Sequence, residues 1–267
     1  MKKLLFAVIF IGTLISCKKE SSTPVVSTNS VVKDTTKLID GINFTSIGTA
    51  IGKFGNGLTD VEGNKYKTVI IGTQEWMAEN LKVSKYRSGQ SIQKVIDNYQ
   101  WQNLQQGAWC YNSNDDANNT KYGKLYNQYS LQEDYISNRF LCPTGWHVPK
   151  YSEWKILIDY LGGTKESGSK MREVDSTSWK QFSSLENNND ATNISLFTAL
   201  PGGIRNSQNY GNFSQVGGFG SWWTSDNVYN MDTDPVIEFN CFNIDLLSSG
   251  FTKSEKREGK SIRCVKD

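Results

Sequence analysis

The chain holds one histidine, His147, and five cysteines, Cys17, Cys110, Cys142, Cys241 and Cys264. These residues carry the most specific chemistry, and their number bounds it. Zinc sites built on two or three histidines cannot be assembled within one chain. No Cys-x-x-Cys pair is present, so a thioredoxin-type redox centre and paired zinc knuckles lack their spacing. His147 lies in Trp146-His147-Val148-Pro149, just before an amphipathic stretch. It reads as a hydrogen-bonding residue that fixes the turn into a helix. General-base work would need an orienting carboxylate and a nucleophile against it, and the sequence places neither there. With 27 acidic residues, finding two carboxylates at glycosidase separation would mean nothing by counting.

Oxygen-bearing side chains alternate at Asn112, Asn114, Asp116 and Asn118, as they do around calcium. The glycine and the closing glutamate of an EF-hand loop are missing. The segment therefore reads as an Asx-rich turn, with calcium as the alternative and no other cofactor indicated. A second set of candidates is Arg205, Asn209, Tyr210, Phe213, Trp222 and Trp223. The glycine-rich stretch 202–220 is costly to order unless side chains or a ligand hold it. Aromatic faces beside amides, including Asn206 and Asn212, suit a sugar ring or an extended polypeptide. Two readings stay open: a binding loop, or a loop that Tyr210 and Phe213 pin onto the domain. Neighbours in a strand point to opposite faces, so one of Trp222 and Trp223 can lie outside the core unless a loop covers it. Trp109, Trp146, Trp154 and Trp179 read as core.

The elements that must position these residues follow from periodicity. Trp154, Leu157, Ile158 and Leu161 fall at i, i+3, i+4 and i+7, which predicts a helix over about 150–161, closed by Gly162-Gly163. A second helical piece is expected at 131–139. Strands are expected at 66–71, 197–200, 220–224, 236–242 and 261–265. The fold class is α+β, mostly short antiparallel strands with long loops.

Residues 1–17 read MKKLLFAVIFIGTLISC. Two lysines precede an apolar run too short for a comfortable bilayer span, which is the shape of a secretory signal. The end, Leu14-Ile15-Ser16-Cys17, looks like a bacterial lipobox. It predicts a signal peptide at 1–16 and acylation of Cys17, with attachment to the outer membrane on either of its faces. Residues 17–40, rich in Ser, Thr and charge, then form a flexible tether. Residues 41–65 are a glycine-rich lead-in, and 66–267 the main domain. The lead-in lacks both the Gly-Lys-Ser/Thr closure and the G-x-G-x-x-G pattern of phosphate cradles. Lysine plus arginine is 29 against 27 acids; without the two signal lysines the balance is 27 to 27. That balance argues against nucleic acid as a partner.

Six motifs occur in order: GTQEWMAENLK at 72–82, YGKLYN at 122–127, LCPTGWHVP at 141–149, FTALPGGIR at 197–205, GSWWTS at 220–225 and SIRCVKD at 261–267. This set resembles the Fibrobacter succinogenes major paralogous domain family, abundant in Bacteroidetes surface lipoproteins, over about 66–267. The family in turn resembles the C-type lectin-like superfamily at a distance. The resemblance implies a disulfide between Cys142 and Cys264, because lectin-like folds tie a helix-region cysteine to the last strand. The remaining Cys110 and Cys241 either pair with each other or stay reduced and buried. The superfamily's calcium-bridging tripeptides, Glu-Pro-Asn, Gln-Pro-Asp and Trp-Asn-Asp, do not occur. The expected function is a lipid-anchored envelope or surface domain that binds a glycan or protein without catalysis. Its alternatives are a structural or adhesive envelope component, or an oxidase of the formylglycine-generating type.

Overall fold

A computed structural model of the chain describes residues 51–174, 177–180, 190–228 and 238–267. Cys17 and the expected signal and tether lie outside the described residues. In chain order the strands are β1 (Gly52–Phe54), β2 (Leu58–Thr59), β3 (Lys65–Tyr66), β4 (Thr68–Ile71), β5 (Gln74–Met77), β6 (Gln93–Lys94) and β7 (Ala108–Tyr111). They continue with β8 (Lys124–Tyr126), β9 (Trp146–His147), β10 (Ile204–Arg205), β11 (Phe213–Ser214), β12 (Gly220–Val228), β13 (Glu238–Ile244), β14 (Ser249–Ser254) and β15 (Val265–Lys266). The helices are α1 (Asn98–Gln102), α2 (Asn118–Tyr122), α3 (Tyr151–Tyr160) and α4 (Thr164–Met171). The class is α+β, and every strand pair is antiparallel except β6 with β7.

The largest sheet has the order β1-β4-β5-β15-β9. Its first strand comes from the glycine-rich lead-in. At Gly52 a Cβ would lie 1.9 Å from the Ser195 carbonyl oxygen, so the close approach of the two backbones requires glycine. The sheet β12-β13-β14 packs beside α3 and α4. Two hydrophobic cores share their walls. Trp223, Met77 and Cys264 sit in one core, while their neighbours Trp222, Trp76 and Val265 sit in the other. Strand alternation sends adjacent side chains to opposite faces, and here both faces are covered. Both Trp222 and Trp223 are therefore fully buried. A third cluster gathers Val95, Trp101, Leu104, Cys110 and Leu125, with Phe213 against it.

Helix α3 buries Trp154, Leu157 and Ile158, the face its periodicity marks, and Glu153 accepts a 2.8 Å hydrogen bond from the Lys150 amide at its start. The helix expected at 131–139 does not form. Residues 128–131 make a short 3-10 turn, after which Asp134 and Arg139 bridge as a small hairpin. Asp134 accepts from the Ile136 amide, and Asn138 adopts φ +51°, so Asx-turn chemistry prevails over helix formation. The strand expected at 197–200 is also absent. Leu196 and Thr198 have positive φ, and the carbonyls of Phe197 and Thr198 accept hydrogen bonds from the guanidinium of Arg263. Strand 66–71 is interrupted at Lys67, which separates β3 from β4. Among the described residues no helix is long and apolar enough to cross a membrane.

Candidate functional site

Most of the second candidate set belongs to the interior. The Arg205 side chain is fully buried and donates to the Gly211, Val95 and Ile96 carbonyls and to Asn98 Oδ1, at 2.9, 2.6, 3.0 and 2.9 Å. Its guanidinium lies 4.4 Å from the Trp101 ring centre and 4.9 Å from that of Phe213. Phe213 thus packs onto the domain. Trp222 Nε1 donates to Asn80 Oδ1 at 2.9 Å and Trp223 Nε1 to the Tyr126 carbonyl at 2.7 Å. Arg205, Phe213, Trp222 and Trp223 are scaffold, because a buried polar group is kept only where hydrogen bonds satisfy it. The amides of Asn206 and Asn212 close the same loop through Asn98 and Ser214. The side chain of Asn209 lies outside the described residues.

Tyr210 is different. It is 75% exposed and sits in the 3-10 turn 209–211 with φ +58°. A left-handed backbone is uncommon for a bulky residue and is retained only where the surroundings impose it. The imposing contacts are local. At Gly211, φ +64°, a Cβ would lie 2.6 Å from the Asn98 carbonyl oxygen, and Arg205 holds both residues from beneath. Asn98 opens α1, which Asp97 caps through a 2.7 Å bond from the Gln100 amide. Trp101 is buried beneath α1, whereas Tyr99 projects with 74% exposure. Two exposed tyrosines are each one residue from the Asn98–Gly211 contact. Tyr99, with Gln100, Asn103, Leu104, Gln105 and Gln106, lines a groove of about 450 Å³.

His147 lies elsewhere. Its Nδ1 is 2.6 Å from Asp267 Oδ1, and its Nε2 is 2.9 and 3.0 Å from the two Glu153 oxygens. The hydrogen bond with Glu153, assisted by Asp267, raises it to about 9 against the opposing effect of burial. Burial pushes Glu153 upward, but its bonds with His147 and the Lys150 amide hold it below the ordinary carboxylate value. At neutral pH the imidazolium donates from both nitrogens, so neither is available as a base. His147 fixes the start of α3, as its position predicts.

Residues 69–266 match the model of the Fibrobacter succinogenes major domain. The chain belongs to this family. No curated protein and no solved structure matches it.

In this Fibrobacter succinogenes major domain, Cys142 and Cys264 are joined by a disulfide buried in the core. Cys110 and Cys241 are buried free thiols, the second of the two expected states. Burial pushes the Cys110 thiol up to about 12. The alternating loop spends its amides internally: Asn112 Nδ2 on the Gly202 carbonyl, Asn114 Nδ2 on that of Ile96 and Asn118 Nδ2 on that of Asn112. These bonds describe an Asx-rich turn. Among the described residues no group of three His, Cys, Asp or Glu side chains is placed to hold a metal. Of the candidates read from the sequence, Tyr210 alone remains an exposed aromatic. Tyr99, Gln100, Asn103, Gln105 and Gln106 were not singled out. Their signal is the run 98–114, which carries no charged residue at all.

Proposed function

We propose that this protein is a lipid-anchored cell-envelope domain that binds an external ligand without catalysis, through the face formed by α1 and Tyr210. The observation that carries the reading is the pair of exposed tyrosines next to Asn98 and Gly211, which the buried Arg205 holds, with Tyr99 lining an amide-rich groove. An aromatic side chain with a polar tip next to amide groups is the kind of surface that binding sites use. The apolar run ending at Cys17 supports acylation and outer-membrane attachment, and the charge-balanced chain supports a partner other than nucleic acid. Short antiparallel strands and the tie from Cys142 to Cys264, beside the last strand, support a distant C-type lectin-like relation. The raised Cys110 thiol weighs against an oxidase, which needs reactive thiolates.

The structural or adhesive reading has one observation in its favour. Tyr135 and Ile136, at the tip of the 134–139 hairpin, are 83% and 99% exposed. The test compares the full-length protein in detergent with its Tyr99→Ala, Tyr210→Ala and Ile136→Ser variants on immobilised envelope polysaccharides and polypeptides. Loss of binding in either tyrosine variant supports the proposal. Loss in Ile136→Ser alone transfers the function to the hairpin, and a ligand indifferent to both tyrosines refutes the site.

A further inference from the structure

The groove beside α1 is chemically uniform, and that uniformity bears on what it takes. Resting on the binding function proposed above, we infer that its ligand is an uncharged polysaccharide, bound without a metal ion. Gln100, Asn103, Gln105 and Gln106 line the groove, with Tyr99 at one side and Leu104 below. A primary amide offers donors and an acceptor together, which matches sugar hydroxyls, since each hydroxyl also does both. The side chains of Gln100 and Gln105 make no hydrogen bond among the described residues. Asn103 spends its Nδ2 on the Tyr99 carbonyl at 2.7 Å, and Gln106 its Nε2 on Gln93 at 2.6 Å, so their carbonyl oxygens remain as acceptors. Tyr99 and Tyr210 add apolar ring faces with polar tips, the surface that the C–H face of a pyranose covers.

The competing ligand classes fit less well. No charged residue lines the groove; Asp97, next to α1 in sequence, is committed to capping it, Arg205 is buried, and Arg257 donates to the Gln102 carbonyl at 2.7 Å. A sulfated, phosphorylated or uronic-acid polymer finds no cation in the lining itself, and burying its charge unpaired is unfavourable. A polypeptide added as a strand needs an open sheet edge, but the lining consists of a helix and the loop after it. An amphipathic helix needs an apolar trough, and Leu104 is the one aliphatic residue in the lining. The volume falls in the range of about 300–1,000 Å³ found for small-ligand sites. Contacts within the protein hold Tyr210 left-handed, so its backbone is set before any ligand arrives and less entropy is lost there on binding.

The experiment is affinity gel electrophoresis of the full-length protein in detergent through neutral polysaccharides (a β-glucan, a mannan, a xylan and an α-glucan) and anionic ones (polygalacturonate and a sulfated galactan). Each is run with calcium and with EDTA. At least one neutral polymer is expected to retard the wild-type protein equally in both conditions. Tyr99→Ala and Tyr210→Ala should each weaken that retardation about tenfold, while Tm moves by no more than about 2 °C. Gln105→Glu should weaken it less, and should not create binding to the anionic polymers. Retardation by anionic polymers alone, or retardation abolished by EDTA, overturns the inference while leaving a binding function at this face intact. So does a tyrosine-sensitive polypeptide ligand with no neutral polysaccharide bound. Absence of any tyrosine-sensitive ligand overturns both.

Discussion

His147 is bracketed by two carboxylates, and the consequence is a pH-dependent contribution to stability. Folding raises the imidazole from its ordinary 6.5 to about 9, so the clamp is at full strength below 6.5 and is lost as pH climbs through 9. On the acid side Glu153 has a lowered value in the folded chain, so its share is full above 4.5 and disappears as pH falls through that lowered value. His147→Gln should therefore destabilise the protein by about 1–2 kcal/mol near pH 6 and by progressively less toward pH 10. Urea denaturation at several pH values measures this, and a constant difference across the range would contradict it. The histidine's structural part was legible because a lone imidazole next to a helix start has few other uses. Arg205 was not, because an arginine among asparagines and tyrosines looks like a ligand contact. Nothing local in the sequence announces that the carbonyls of Val95 and Ile96, over a hundred residues earlier, converge on it.

At the scale of elements, the disulfide joins Cys142, in the bend before β9, to Cys264, the residue before β15, across 122 positions. Its removal in a Cys142→Ala/Cys264→Ala protein is expected to cost about 2–5 kcal/mol. Denaturation curves of the oxidised wild type and the double variant give the difference. Peptide mapping without reduction should recover the 142–264 link, with Cys110 and Cys241 alkylated only after unfolding. Helix α3 was readable because its apolar stripe is long and closed by paired glycines. The expected helix at 131–139 failed because Asp134 and Asn138 supply a turn of their own. The strand at 197–200 failed because a distant arginine, Arg263, takes the carbonyls a ladder would use. Burial of both Trp222 and Trp223 follows from cores on both faces of β12, which alternation along one strand cannot reveal.

For the whole molecule, the proposed anchor makes a separate prediction. Cys17→Ser should abolish incorporation of a fatty-acid probe and release the protein from the membrane fraction, and labelling that persists in the variant would remove the lipid attachment. The tyrosine face should bind equally well in that released form, since it lies on the described domain. The order of strands in the largest sheet has another consequence. Strand β15 fills the position between β5 and β9, with Val265 opposite both Trp76 and His147. Strands β4 and β5 are adjacent hairpin partners and can pair early, but β9 has no neighbour in this sheet until residues 265–266 arrive. Contacts this distant along the chain close slowly. A nascent polypeptide would reach 265 with its central seam still open, unable to complete its cores while most of its length is already synthesised. Under the export proposed above, late closure of the seam would be an advantage: the segment that locks the fold is the last of the described domain to cross.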